Sequence, residues 1–122
     1  MSRKGFIREF VSIPGVATNM AADIISPVTN VEILDNIGFQ VTWTSANAVG
    51  VIAIEGSIDW DEHLQTGTFY ALTFTPALAQ PASNNGGYLI DVNQFPYPWI
   101  RAHYTATSGT GELEILLSAK AI

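Results

Sequence analysis

The sequence predicts an all-β fold: a single-domain antiparallel β-sandwich, jelly-roll-like, of about seven to eight strands behind an N-terminal arm. Three observations predict it. From Val28 onward apolar and polar residues alternate in short runs, the period of a strand with one face in a core. Clusters of Gly, Pro, Asn, Asp and Ser punctuate those runs. The stretch Trp99 to Lys120 reads as two alternating arms about Ser108-Gly109, a hairpin in which Tyr104 faces Leu113, Ala102 faces Ile115 and Ile100 faces Leu117. On its other face His103 meets Glu114, and Arg101 lies beside Leu116 and Glu114.

Residues 1–27 differ from the rest. They show no alternation, and Pro14-Gly15 and Pro27 interrupt them. The stretch reads as an arm, extended or partly helical, that packs on its own sandwich or on a neighbouring subunit. The sandwich domain is 28–122. Val31, Ile33 and Leu34 begin it, and Phe39, Val41 and Trp43 follow after the break at Asp35-Asn36. Val49 to Ile54 is a continuous apolar run, as expected of a strand covered on both faces or lying at a subunit contact. A loop follows over Ile58 to His63. Thr68 to Thr75 resumes alternation with Tyr70, Leu72 and Phe74 on one face, Pro76 to Gly87 is a polar connection, and Tyr88, Ile90 and Val92 alternate before the last hairpin. The expected core is Phe39, Val41, Trp43, Val51, Leu72, Phe74, Ile90, Ile100, Tyr104, Leu113, Ile115 and Leu117.

The 122 residues suffice for one domain with a core of its own. There is no cysteine, which excludes disulfides and thiolate metal sites. Charged residues make up 13% and hydrophobic ones 48%, so part of the surface is expected to be covered by another subunit. Arg3, Lys4 and Arg8 are three of the five basic residues; residues 9–122 carry two positives against eleven acids, a balance of −9. An acidic body argues against nucleic-acid binding by the folded domain, because phosphate contacts need clustered Lys or Arg. No stretch is long and apolar enough for a membrane span or a signal-peptide core.

Chemistry-bearing residues are few. Asp59, Asp61 and Glu62 flank Trp60, with His63 next to them; these are weak metal candidates, because the ligand spacing of a calcium loop is missing. With two histidines, no cysteine and no Gly-x-Ser-x-Gly elbow, no catalytic residue is assigned and the chain is not expected to be an enzyme or to need a cofactor. Phe95, Tyr97 and Trp99, with Trp60 and Tyr70, are aromatics of the kind that stack on sugar rings; Trp60, Tyr97 and Trp99 are the candidate ligand-binding residues. Pro96 and Pro98 bracket Tyr97, so the same aromatics also suit pinning the final hairpin onto the core, through a cis proline in one reading.

The runs Asn36 to Thr44, Glu55-Gly56-Ser57, Asp91 to Pro96, Trp99-Ile100-Arg101, Tyr104-Thr105 and Thr107 to Gly111 resemble those of small β-sandwich structural proteins of bacteriophage particles, of the decoration, tail or fibre type. The resemblance covers roughly residues 30–120. Ile58 to Gln65 departs from it where the family has a longer Gly- and Asn-rich stretch. It implies a virion location and a role as capsid decoration or another accessory subunit. The implied partners are other copies, as a trimer, and other virion proteins. The arm is then the anchor: Phe6, Ile7, Phe10, Val11 and Ile13 make apolar contacts and Arg3, Lys4 and Arg8 steer. The alternative is a receptor- or carbohydrate-binding module of a phage fibre or a secreted protein.

Overall fold

The computed structural model describes residues 6–9, 19–31, 36–45, 47–93 and 96–120. They form two antiparallel sheets and no helix. The first sheet contains β1 (Phe6–Glu9), β9 (Glu112–Lys120), β4 (Asn36–Thr44) and β7 (Gly86–Asn93), in the order β1-β9-β4-β7. In the second, β8 (Trp99–Ser108) pairs on one side with β2 (Ile24–Ile25) and β3 (Thr29–Asn30), and on the other with β5 (Val49–Ser57), which carries β6 (Tyr70–Ala71). β2 and β3 are one strand interrupted at Pro27, which has no N–H to give to the ladder. Ser26 spans the gap: its N–H donates to the Ala102 carbonyl (3.0 Å) and its hydroxyl accepts from the Ala102 N–H (2.8 Å).

The two sheets share one core. Ile37, Phe39, Val41 and Trp43 of β4 and Leu113, Ile115 and Leu117 of β9 are buried with Ile52 and Ile54 of β5 and Ile100, Ala102 and Tyr104 of β8. Tyr104 is the largest fully buried side chain among the described residues. Its phenol packs against Gly50, where any Cβ would collide with the ring.

The expected C-terminal hairpin is not formed. β8 and β9 belong to different sheets, so Tyr104 pairs with Ile52 and Leu113 with Trp43. The alternation was right about which side chains turn inward. The connection instead crosses the sandwich at Gly109, whose φ is +79° and where a Cβ would strike the Asn47 carbonyl. Beside it runs the β4–β5 crossing. Ser45 joins the two: its hydroxyl donates to the Thr110 carbonyl (2.7 Å) and accepts from the N–H groups of Asn47 (3.1 Å) and Ala48 (2.6 Å). Asn47 Oδ1 accepts the Thr110 N–H at 3.0 Å.

Three further expectations change. Val51 is 52% exposed, because the run Val49 to Ile54 alternates like any strand with one inner face and turns Ile52 and Ile54 inward. Thr68 to Thr75 is strand only at Tyr70–Ala71; Leu72 and Phe74 are half-buried while Tyr70 is 75% exposed. Ile90 is half-buried, since β7 is a sheet edge. Among the described residues the cis peptide is Thr75–Pro76 and not Tyr97–Pro98; the bond between Phe95 and Pro96 lies outside the described residues.

In the stretch read as an arm, Phe6–Glu9 is extended and pairs with β9 from Phe6↔Ala119 to Glu9↔Leu116. Asn19 bridges to Glu112, Met20 is fully buried in the core, and Ile24–Ile25 pairs with β8. Arg3, Lys4, Phe10, Val11 and Ile13 lie outside the described residues, as do Ile33, Leu34 and Phe95.

Past β6 the edge of β5 is closed by one side chain and by the backbone of residues 81–83, where the Gly50 N–H donates to the Pro81 carbonyl (3.3 Å) and Val49 bridges to Ala82. Beyond Leu72, whose N–H donates to the Ile54 carbonyl (2.8 Å), Gln80 presents its carboxamide to Ile52. Its Oε1 accepts the Ile52 N–H (2.5 Å) and its Nε2 donates to the Ile52 carbonyl (3.0 Å). Gln80→Ala leaves both backbone groups unpaired at a half-buried edge, and should destabilise the fold by about 1–3 kcal/mol. Urea unfolding measures the loss, and hydrogen exchange at the Ile52 amide should quicken by more than global destabilisation alone predicts.

Candidate functional site

The connection from β5 to β6, residues 58–69, ties itself down. Asp59 Oδ1 accepts the Thr68 N–H (2.8 Å) and the Ser57 hydroxyl (2.9 Å). Asp61 Oδ1 accepts from the N–H groups of His63 (2.9 Å) and Leu64 (3.0 Å), and Asp61 and Thr66 exchange backbone bonds. Asp59 and Asp61 thus each commit an oxygen to their own loop. Among the described residues no three His, Cys, Asp or Glu side chains are grouped to hold a metal ion, so the weak candidates Asp59, Asp61 and Glu62 do not converge.

Above the outer face of the second sheet a ladder of side chains leads from this loop onto the strands. Trp60 lies 5.4 Å from the ring of Phe69, and the Arg101 guanidinium sits 4.0 Å above the Phe69 centroid. Arg101 Nε donates to Glu55 Oε1 at 2.7 Å, and His103 Nδ1 is 3.4 Å from Glu55 Oε2. The expected partner of His103 and Arg101 was Glu114. Glu114 belongs to the other sheet, and Glu55 faces Arg101 across the β5–β8 ladder instead.

The end of β5, β6 and the approach to β8 enclose a cleft of about 280 Å³ lined by Ile58, Asp59, Thr68, Tyr70, Ala71, Leu72 and Tyr97. Of the three candidate ligand-binding aromatics only Tyr97 lines it. Trp60 turns to Phe69, and Trp99 is half-buried in β8 with its backbone paired to Ser57 and Asn30. Tyr70, which the sequence offers among the sugar-stacking aromatics, also lines the cleft, because the strand expected over Thr68 to Thr75 is two residues long and leaves Tyr70 75% exposed. Gly56, its cross-strand partner, has no side chain to cover the ring.

A second cleft, of about 430 Å³, runs between residues 74–79 and Tyr88, Leu89, Ile90 and Asp91 of β7. Trp43 meets the Tyr88 ring at 6.0 Å and 71°. The Tyr88 hydroxyl is buried with no partner among the described residues, and burial pushes its pKa up to about 12.

The bonds from the Thr68 N–H and then from the Ser57 hydroxyl hold Asp59 below the usual carboxylate range. With a folded pKa below the unfolded one, this stabilisation is present above about pH 4 and is lost as pH falls through the folded value. Asp59→Asn should therefore show a smaller drop in melting temperature than the parent between about pH 5 and pH 2.5, measured by thermal unfolding at low ionic strength. No protein-family model matches the chain, and no curated protein is significantly similar to it.

Proposed function

We propose that the chain is a structural subunit of a bacteriophage particle, a capsid decoration or other accessory protein, acting by symmetric assembly as a trimer. The observation that carries this reading is the strand order. With β2 and β3 counted as one interrupted strand, β1-β9-β4-β7 over β2/β3-β8-β5-β6 matches the order of a jelly roll, an architecture frequent in viral shells. The resemblance of residues 30–120 to phage structural proteins agrees with it.

Surface chemistry supports the same reading. β7 is an eight-residue sheet edge that pairs with β4 alone among the described strands, carries Asp91 as its sole charge and leaves Leu89 74% exposed. A long edge of this kind invites pairing with another chain. Ile25 and Val51 add exposed apolar area on the outer face of the second sheet. Burying such surfaces within interfaces of about 1,200–2,000 Å² supplies the driving force for assembly. Arg3, Lys4 and Arg8, with Phe6, Ile7, Phe10, Val11 and Ile13, are the docking residues toward other virion proteins in this reading.

Light scattering of the purified chain should give a mass roughly three times that of the 13.2 kDa protomer, and Leu89→Lys should lower it. A protomer mass at every concentration would overturn symmetric assembly. In purified virions scored by mass spectrometry, Arg3→Glu combined with Lys4→Glu should reduce incorporation without changing the melting temperature. Unchanged incorporation would overturn docking through the N-terminus.

A further inference from the structure

We propose that the cleft between Tyr70 and Tyr97 binds a neutral saccharide, with the Asp59 carboxylate accepting from its hydroxyls. Three features of the cleft point to this chemistry. Its wall is built rather than incidental: Asp59, Asp61 and Thr66 close the 58–69 loop by hydrogen bonds, and the contacts of Trp60, Phe69 and Arg101 clamp it to the sheet. A loop ordered to this extent has already lost the entropy that ligand binding otherwise costs.

Large apolar side chains nevertheless stay in water at the cleft. Ile58 is 73% exposed, and Tyr70 stands free because Gly56 opposite it offers nothing to pack on. Aromatic faces with adjacent aliphatic surface match the C–H faces of a pyranose ring. Polar groups beside an apolar wall then select the hydroxyl pattern.

The polar groups are a carboxylate and the Thr68 side chain. Asp59 Oδ1 already accepts from Ser57 and Thr68, which fixes the carboxylate in place. A carboxylate offers about four lone-pair sites, so it retains capacity for a sugar hydroxyl. Among the described residues no Lys or Arg lines the cleft. Its charge is therefore negative, which disfavours uronic and sialic acids. A volume of about 280 Å³ accommodates roughly one or two sugar rings. The site stands apart from the β7 edge, and the proposal holds whether or not the chain assembles.

The test titrates the full chain with maltotriose, cellotriose, chitotriose and β-1,4-galactobiose, followed by saturation-transfer NMR and by intrinsic fluorescence, for which Trp60 lies next to Asp59 in the loop. At least one of these sugars should bind saturably with a Kd of about 1 mM or tighter. Tyr70→Ala, at an exposed position, should weaken that binding by at least about 10-fold with an unchanged melting temperature. Asp59→Asn should weaken it as well, and Tyr97→Phe should retain it. The proposal is overturned by the absence of saturation with all four sugars up to about 50 mM, a range that covers affinities far weaker than expected. Binding that Tyr70→Ala leaves undiminished also overturns it. So does saturable binding of choline without any sugar, which would assign the two tyrosines and the carboxylate to a cation.

Discussion

Ser45 is the point on which the chain crossings at one end of the sandwich depend. Its hydroxyl satisfies two N–H groups of its own turn and reaches the Thr110 carbonyl, while its N–H donates to Asn85 Oδ1 at 2.8 Å. Three crossings between the sheets, β4–β5, β6–β7 and β8–β9, therefore meet at one buried serine. Around it Thr110 reaches Asn19 through its hydroxyl (2.7 Å), Met20 donates to the Gly111 carbonyl (2.9 Å), and Trp43 Nε1 donates to the Asn84 carbonyl (2.8 Å). Loops that pass from sheet to sheet carry backbone groups no ladder can satisfy, and this node pairs them.

With that end tied, the inner faces of the two sheets have to meet, and the core follows. The edges then differ in how they are treated. β5 is shielded by β6, by the Gln80 carboxamide and by the backbone of residues 81–83, and β2 and β3 are too short to invite another strand. β7 has none of these protections among the described residues. Where a chain leaves one long apolar edge open and closes another with such contacts, the open edge is the natural place to look for assembly.

The opposite end of β5 is organised differently. There a loop closed by Asp59 and Asp61, with aromatic and cationic side chains stacked behind it, holds Tyr70 and Ile58 outward beside Tyr97. Lectin domains as well as viral shells use the architecture whose strand order is invoked for the proposed function, so the two proposed roles, a subunit of a particle surface and a saccharide-binding module, are compatible in one molecule. The strand order speaks to the first, the cleft chemistry to the second.

By itself the sequence determined which residues turn inward along most strands. Phe39, Val41 and Trp43, then Ile100 and Tyr104, then Leu113, Ile115 and Leu117 follow from a period of two, which is a local property of the pleated backbone. It also located the turn at Gly109. Only the tertiary structure decided which strands pair. Strand partners depend on where a connection travels, and alternation is identical for a hairpin and for a crossing between sheets. Hence Glu55 rather than Glu114 meets Arg101, 46 positions away in the chain, and Ser45 meets Thr110 across 65. Tyr70 reads in the sequence as a sugar-stacking aromatic, but its place in the cleft beside Tyr97 does not. Its exposure results from a glycine on the neighbouring strand and a strand that ends after two residues, neither of which its own neighbours in sequence encode.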